Sequence, residues 1–97
     1  MLIVSAVMPV KPAFVEAFSI AAKVCAEQTR REAGNISYTI CRNSEDSCQF
    51  ITFEEWENAD AEAAHMQSTH LKNFIGEIRT YLGGAPTMRR YKVTGNP

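Results

Sequence analysis

Both histidines and the one tryptophan of this chain fall between Phe50 and His70. Histidine is the side chain whose ordinary pKa lies near neutrality, so one histidine in a small apolar pocket serves as a general base. His65, set among Ala61, Ala64 and Met66, is the candidate base and should point toward a sheet near Trp56. A partly buried histidine that only caps or packs is the plain alternative. His70 follows Thr69 at a helix start and is a candidate second donor, with a capping role equally open to it. Trp56 is either core or a pocket wall that stacks an aromatic substrate and keeps water out. Glu54 lies on the same strand face, and an inward carboxylate needs a partner, for which Arg89 and Arg90 are candidates. Tyr38 and Tyr91 are candidate substrate-binding hydroxyls for the same cavity, with core packing as the default.

A metal centre is not expected. His65 and His70 are five residues apart, about 140° on one continuous helix, which is poor for two ligands of one ion. The sequence shows no acidic–histidine cluster and no thiol pair. No flavin motif is present either, so no cofactor is expected. Cys25, Cys41 and Cys48 lack C-x-x-C spacing and read as free thiols of a reducing compartment. The net charge of −1 offers no basic face for phosphates, which argues against nucleic acid. No apolar run approaches the roughly 18 residues of a membrane span, and the start has no basic signal-peptide region. A cytoplasmic protein is the expectation, and 97 residues correspond to one domain, 1–97.

The elements that would position these side chains follow from periodicity. Leu2–Met8 is apolar at nearly every position and reads as a strand covered on both faces. Pro12 to about Ala33 reads as a helix with the stripe Phe14, Ala17, Phe18, Ala21, Val24 and Cys25, stopped at Gly34. Ile36–Arg42 alternates and is a strand; Asn43–Ser47 is a turn; Gln49–Glu57 is the antiparallel partner. On that third strand Phe50, Thr52, Glu54 and Trp56 share one face, and Ile51, Phe53 and Glu55 the other. Asn58 or Asp60 caps a short helix near Ala61–Gln67, and Ser68-Thr69 starts another with the stripe Leu71, Phe74, Ile75, Ile78 and Leu82. Gly83-Gly84-Ala85-Pro86 ends it, and Thr87–Val93 is a last strand. The tail Thr94–Pro97 is unstructured or lies on a partner.

The order β-α-β-β-α-β is that of the α+β, ferredoxin-like fold, an antiparallel four-stranded sheet with helices on one face. Its first and third strands are apolar on both faces, which would leave a large exposed apolar patch. A homodimer packed sheet to sheet is therefore expected.

The opening apolar strand, Glu32-Ala33-Gly34-Asn35, Ser37-Tyr38, Glu54-x-Trp56 and Ala64-His65-x-x-Ser68-x-His70 together resemble the antibiotic biosynthesis monooxygenase domain, a dimeric α/β-barrel. The resemblance covers essentially the whole chain. It implies one of several activities: cofactor-independent oxygenation of anthrone-like polyketides or quinols, haem degradation, or processing of the phosphorylated autoinducer-2. The haem branch uses an asparagine on the first strand and a histidine on the last helix. This chain has no asparagine in residues 1–10 and no histidine after His70. The run Gly84–Tyr91 is similar to the autoinducer-processing branch, whereas Trp56 sits better with the monooxygenases. The expected function is a cofactor-independent monooxygenase that oxidises a small aromatic or quinol substrate with dioxygen. The alternatives are an isomerase of a hydroxyketone phosphate and a non-catalytic dimeric ligand-binding module. Both reactions begin with removal of a proton, so one histidine in one pocket suits either.

Overall fold

A computed structural model describes residues 1–95; Asn96 and Pro97, the end of the expected tail, lie outside the described residues. Strand β1 (Leu2–Pro9) leads through a 3-10 turn (Pro12–Phe14) into helix α1 (Val15–Thr29). Strands β2 (Asn35–Asn43) and β3 (Asp46–Trp56) form a hairpin. Helices α2 (Ala59–Met66) and α3 (Thr69–Ile78) follow, and strand β4 (Thr87–Lys92) closes the order. The sheet runs β2-β3-β1-β4 with every neighbour antiparallel. This is the expected ferredoxin-like α+β arrangement.

The hairpin is tighter than expected. Asn43 and Asp46 bind their own backbone two residues on, at Glu45 N and Cys48 N, so polar residues of the predicted turn are absorbed into the strands. A bulge between Asn35 and Ser37 leaves Ile36 exposed and sets Tyr38 inward opposite Glu54.

Helix α1 stops at Thr29, short of the expected Ala33. Thr29 Oγ1 donates to the Cys25 carbonyl at 2.7 Å, and residues 30–34 continue as turns that end at Gly34, whose φ is +82°. Only glycine takes that conformation cheaply. A Cβ there would also lie 2.5 Å from Ala61 Cβ, so Gly34 permits the close approach of α2. The buried stripe of α1 is Phe18, Ala21, Ala22, Cys25, Ala26 and Thr29. Val24, expected inside, is 53% exposed. It lines an open groove between α1 and α3 with Asn73 and Glu77.

The core fills the space between the helices and one sheet face. Phe18 meets Phe50 at 4.6 Å and Phe74 at 5.9 Å, while Val4, Ala26, Tyr38 and Trp56 form a second cluster. Period two along β3 places Phe50, Thr52, Glu54 and Trp56 inside. Phe53, on the other face, is 44% exposed and pairs across the sheet with Ser5 and Thr39.

Candidate active site

The side chains that could act surround a cavity of about 300 Å³ between the inner sheet face and α3. Its walls are mainly apolar: Ala6 and Met8 from β1, and Leu71, Phe74 and Ile78 from α3. The polar groups on it are Tyr38, Thr52, Glu54, His65 and Arg79. Exposed Ile75, Arg79, Pro86 and Met88 form its rim.

His65 is held by local and distant chemistry. Asn58 caps α2 by accepting from Ala61 N, and Ser68 caps α3 by accepting from Leu71 N, as the sequence leads one to expect. Ser68 Oγ also donates to the His65 carbonyl at 2.7 Å, which fixes the break between the two helices. The His65 ring packs 4.8 Å from Trp56 and 5.9 Å from Tyr38. Its Nδ1 lies 2.6 Å from Glu32 Oε2, and His70 Nε2 lies 2.7 Å from the same oxygen. With Glu32 ionised, both rings donate to it. In the neutral tautomer that donates from Nδ1, His65 Nε2 is left as an acceptor, with no hydrogen bond among the described residues. That is the form of a general base.

Glu54 has other partners than expected. Thr52 Oγ1 donates to its Oε2 at 2.9 Å and Trp56 Nε1 donates to its Oε1 at 3.2 Å. Thr52 is itself fixed because Ala6 N donates to it at 2.9 Å. Burial pushes the Glu54 carboxyl above the usual carboxylate range, outweighing those donors and the nearby His65. Arg90 instead forms a two-pronged pair with Glu62 of α2, at 3.0 and 3.1 Å. Arg89 stands opposite Ser5 on the other sheet face, one residue out of phase with Arg90. Burial, reinforced by Cys25 and Glu54, raises the Tyr38 hydroxyl far above its ordinary value, so it stays a neutral donor. Burial likewise raises the Cys25 thiol and keeps it unreactive.

Of the expected site residues, His65, Glu54 and Tyr38 line the cavity. Trp56 does not. It is fully buried behind the His65 ring, so it supports that ring and Glu54 instead of forming a wall. His70 faces Glu32, lines a separate groove between α1 and α3, and is not on the cavity surface. Tyr91 pairs with Ile3 on the opposite sheet face, half exposed, because β4 entered the sheet with its odd positions outward. The expectation that no acidic–histidine cluster exists is also overturned: ligand atoms of Glu32, His65 and His70 all lie within 4.8 Å of one another. The helix break at Ser68 cancels the 140° separation that one continuous helix would impose.

The chain matches the family described as antibiotic biosynthesis monooxygenase over residues 1–77. It belongs to that family. A curated relative from Bacillus subtilis (strain 168), "Putative monooxygenase YcnE", is 26% identical over 82 residues, 84% of this chain and 86% of its own length. An uncharacterised protein of Synechocystis is 27% identical over 92 residues, 95% of this chain; the chain spans 63% of that relative's length. A solved conserved protein from Methanosarcina mazei Go1 has a TM-score of 0.92 at 26% identity, covering 96% of this chain and 92% of that one.

In this antibiotic biosynthesis monooxygenase chain, sequence reasoning missed Glu32, Thr52 and Arg79. Glu32 was visible only as part of Glu32-Ala33-Gly34, a helix end. Its partners lie 33 and 38 residues away, so no local pattern in the sequence pointed to it. Thr52 could have been read as the hydroxyl two residues before Glu54 on one strand face.

Proposed function

We propose that this protein is a cofactor-independent monooxygenase that oxidises a small quinol or polyphenol with dioxygen, with His65 as general base. The observation that carries the reading is the orientation of His65, whose Nδ1 is held by Glu32 while its ring lines an apolar cavity. His65 Nε2 takes the phenolic proton, and Glu32 stabilises the imidazolium that forms. Tyr38 donates to the phenolate oxygen. The anion passes one electron to dioxygen, and the substrate radical and superoxide combine to form a carbon–oxygen bond. The His65 imidazolium returns its proton to the peroxide; the neutral ring then takes the proton of the C–H carbon as the O–O bond breaks and passes it to the departing hydroxide. Loss of water turns the former C–H carbon into a carbonyl, so one dioxygen yields the quinone and one water. A cavity of about 300 Å³ suits a substrate of one or two rings.

The isomerase alternative needs cations for a phosphate. Arg90 is engaged by Glu62 and Arg89 lies on the other sheet face, which leaves Arg79 as the cation on the cavity surface. That distribution favours the oxygenase. The protein acts as a homodimer in this reading: Ile3, Val7, Ile51, Phe53 and Tyr91 share the sheet face that no helix covers, and a second copy removes that surface from water.

Oxygen uptake with a menadiol-type quinol, set beside an anaerobic isomerisation assay on a hydroxyketone phosphate, tests the proposal. Uptake with one oxygen atom in the product is expected, and His65→Ala should lower kcat by about 10²–10⁴. A wild-type rate in His65→Ala refutes the base. Ligand binding with both assays silent identifies a binding module instead.

A further inference from the structure

Of the triad formed by Glu32, His65 and His70, only His65 also lines the cavity. We propose that the triad is a binding site for a divalent transition cation of the zinc or cobalt class, and that occupancy converts His65 from a base into a donor. The first part stands on geometry alone; the second rests on the proposed role of His65.

Three elements deliver the ligands: the turn after α1, the last turn of α2 and the first turn of α3. Two imidazole nitrogens and one carboxylate suit zinc, cobalt or nickel, whereas magnesium and calcium prefer oxygen ligands. The two nitrogens lie 2.6 and 2.7 Å from Glu32 Oε2, which is hydrogen-bond spacing. Around a four-coordinate ion at about 2.1 Å the ligand atoms stand about 3.4 Å apart. The carboxylate must therefore withdraw by less than an ångström, and the two nitrogens, which lie within 4.8 Å of one another, must close to the same spacing. Glu32 sits on a turn outside α1 and the His70 side chain is partly exposed, so both can shift without unpacking a helix. Hydrogen bonds at 2.6–2.7 Å hold the three groups converged before the ion arrives. Water completes the coordination.

Access comes from outside. Glu32 and His70 side chains are 16% and 19% exposed, and His65 only 3%. Neither Glu32 nor His70 lines the substrate cavity, and the His65 ring stands between the two compartments, with Nδ1 on the triad and the ring on the cavity wall. A cation here does not reach substrate. It occupies Nδ1, and a neutral imidazole so bound carries its proton on Nε2. The lone pair required in the cavity is lost, so the cation inhibits.

The test uses tag-free, chelator-treated protein titrated with Co²⁺, followed by visible d–d absorption, with Zn²⁺ displacing it. One equivalent should bind. Glu32→Gln and His70→Asn should each weaken binding at least tenfold, with folding checked by circular dichroism. Imidazole ¹⁵N spectra of the wild type should show the His65 proton moving from Nδ1 to Nε2 on Zn²⁺ addition, a readout that needs no variant. Absent d–d bands, or equal affinity in wild type and both variants, overturns the site. Binding with the Nε2–H signature and loss of oxygen uptake supports both parts. Binding that leaves oxygen uptake intact overturns the switch while the site stands. A metal-free wild type without uptake refutes the proposed activity and not the site.

Discussion

Glu32→Gln is the sharpest perturbation of the proposed base. Glutamine keeps the size of the side chain and one acceptor oxygen but removes the charge that faces both rings at 2.6 and 2.7 Å. A hydrogen bond to a charged group is worth about 1.5–3 kcal/mol and a neutral one about 0.5–1.5. The His65 imidazolium formed in the proton transfer therefore loses about 1–2 kcal/mol of stabilisation, equivalent to a fall in kcat of about 5–30-fold. Should the new amide turn its NH₂ toward Nδ1, the ring proton moves to Nε2, and the loss approaches that of His65→Ala. Because Glu32 is not on the cavity wall, KM should stay near the wild-type value. The assay is oxygen uptake with a menadiol-type quinol, with kcat and KM resolved and thermal unfolding run on the same sample. A folded variant whose kcat stays within twofold of wild type refutes the Glu32–His65 pairing as part of the mechanism. So does one whose loss falls on KM.

Other substitutions probe the frame around that pair. Gly34→Ala must accommodate φ of +82° and a Cβ only 2.5 Å from Ala61 Cβ, so it should cost about 2–4 kcal/mol in chemical denaturation, and a neutral result refutes the close α2 approach. Glu54 has a folded pKa above its unfolded one, so its ionisation opposes folding. That penalty is absent at low pH, where both states are protonated, and grows as pH rises above the unfolded pKa. The stability of Glu54→Gln relative to wild type should therefore rise as the pH increases above about 4, the ordinary carboxylate range; a difference that stays flat or falls refutes the assignment. Phe53→Asp places a charge on the uncovered sheet face, and light scattering should report a monomer where the wild type is a dimer. An unchanged mass in the variant, or a monomeric wild type, removes that interface.

Element order and strand parity were legible in the residues because both are local. Alternation along Phe50–Trp56 assigns Thr52, Glu54 and Trp56 to one face whatever they pack against, and Asn58 and Ser68 announce the helix starts by their capping chemistry. Partner choice was not local. Arg90 was a reasonable match for Glu54 on charge alone, yet Glu62 on α2 captures it with two hydrogen bonds. Trp56 was expected at a wall and lies beneath one, because the fold puts His65 over it.

The sequence by itself determined which residues carry rare chemistry and which sheet face each one joins, since side-chain period and caps act over a few residues. The tertiary structure alone decided that Glu32 unites the two histidines. That oxygen meets nitrogens 33 and 38 residues away, after a helix stop, a left-handed glycine and a helix break have all set their angles. No local rule sums those turns; only the packed chain does.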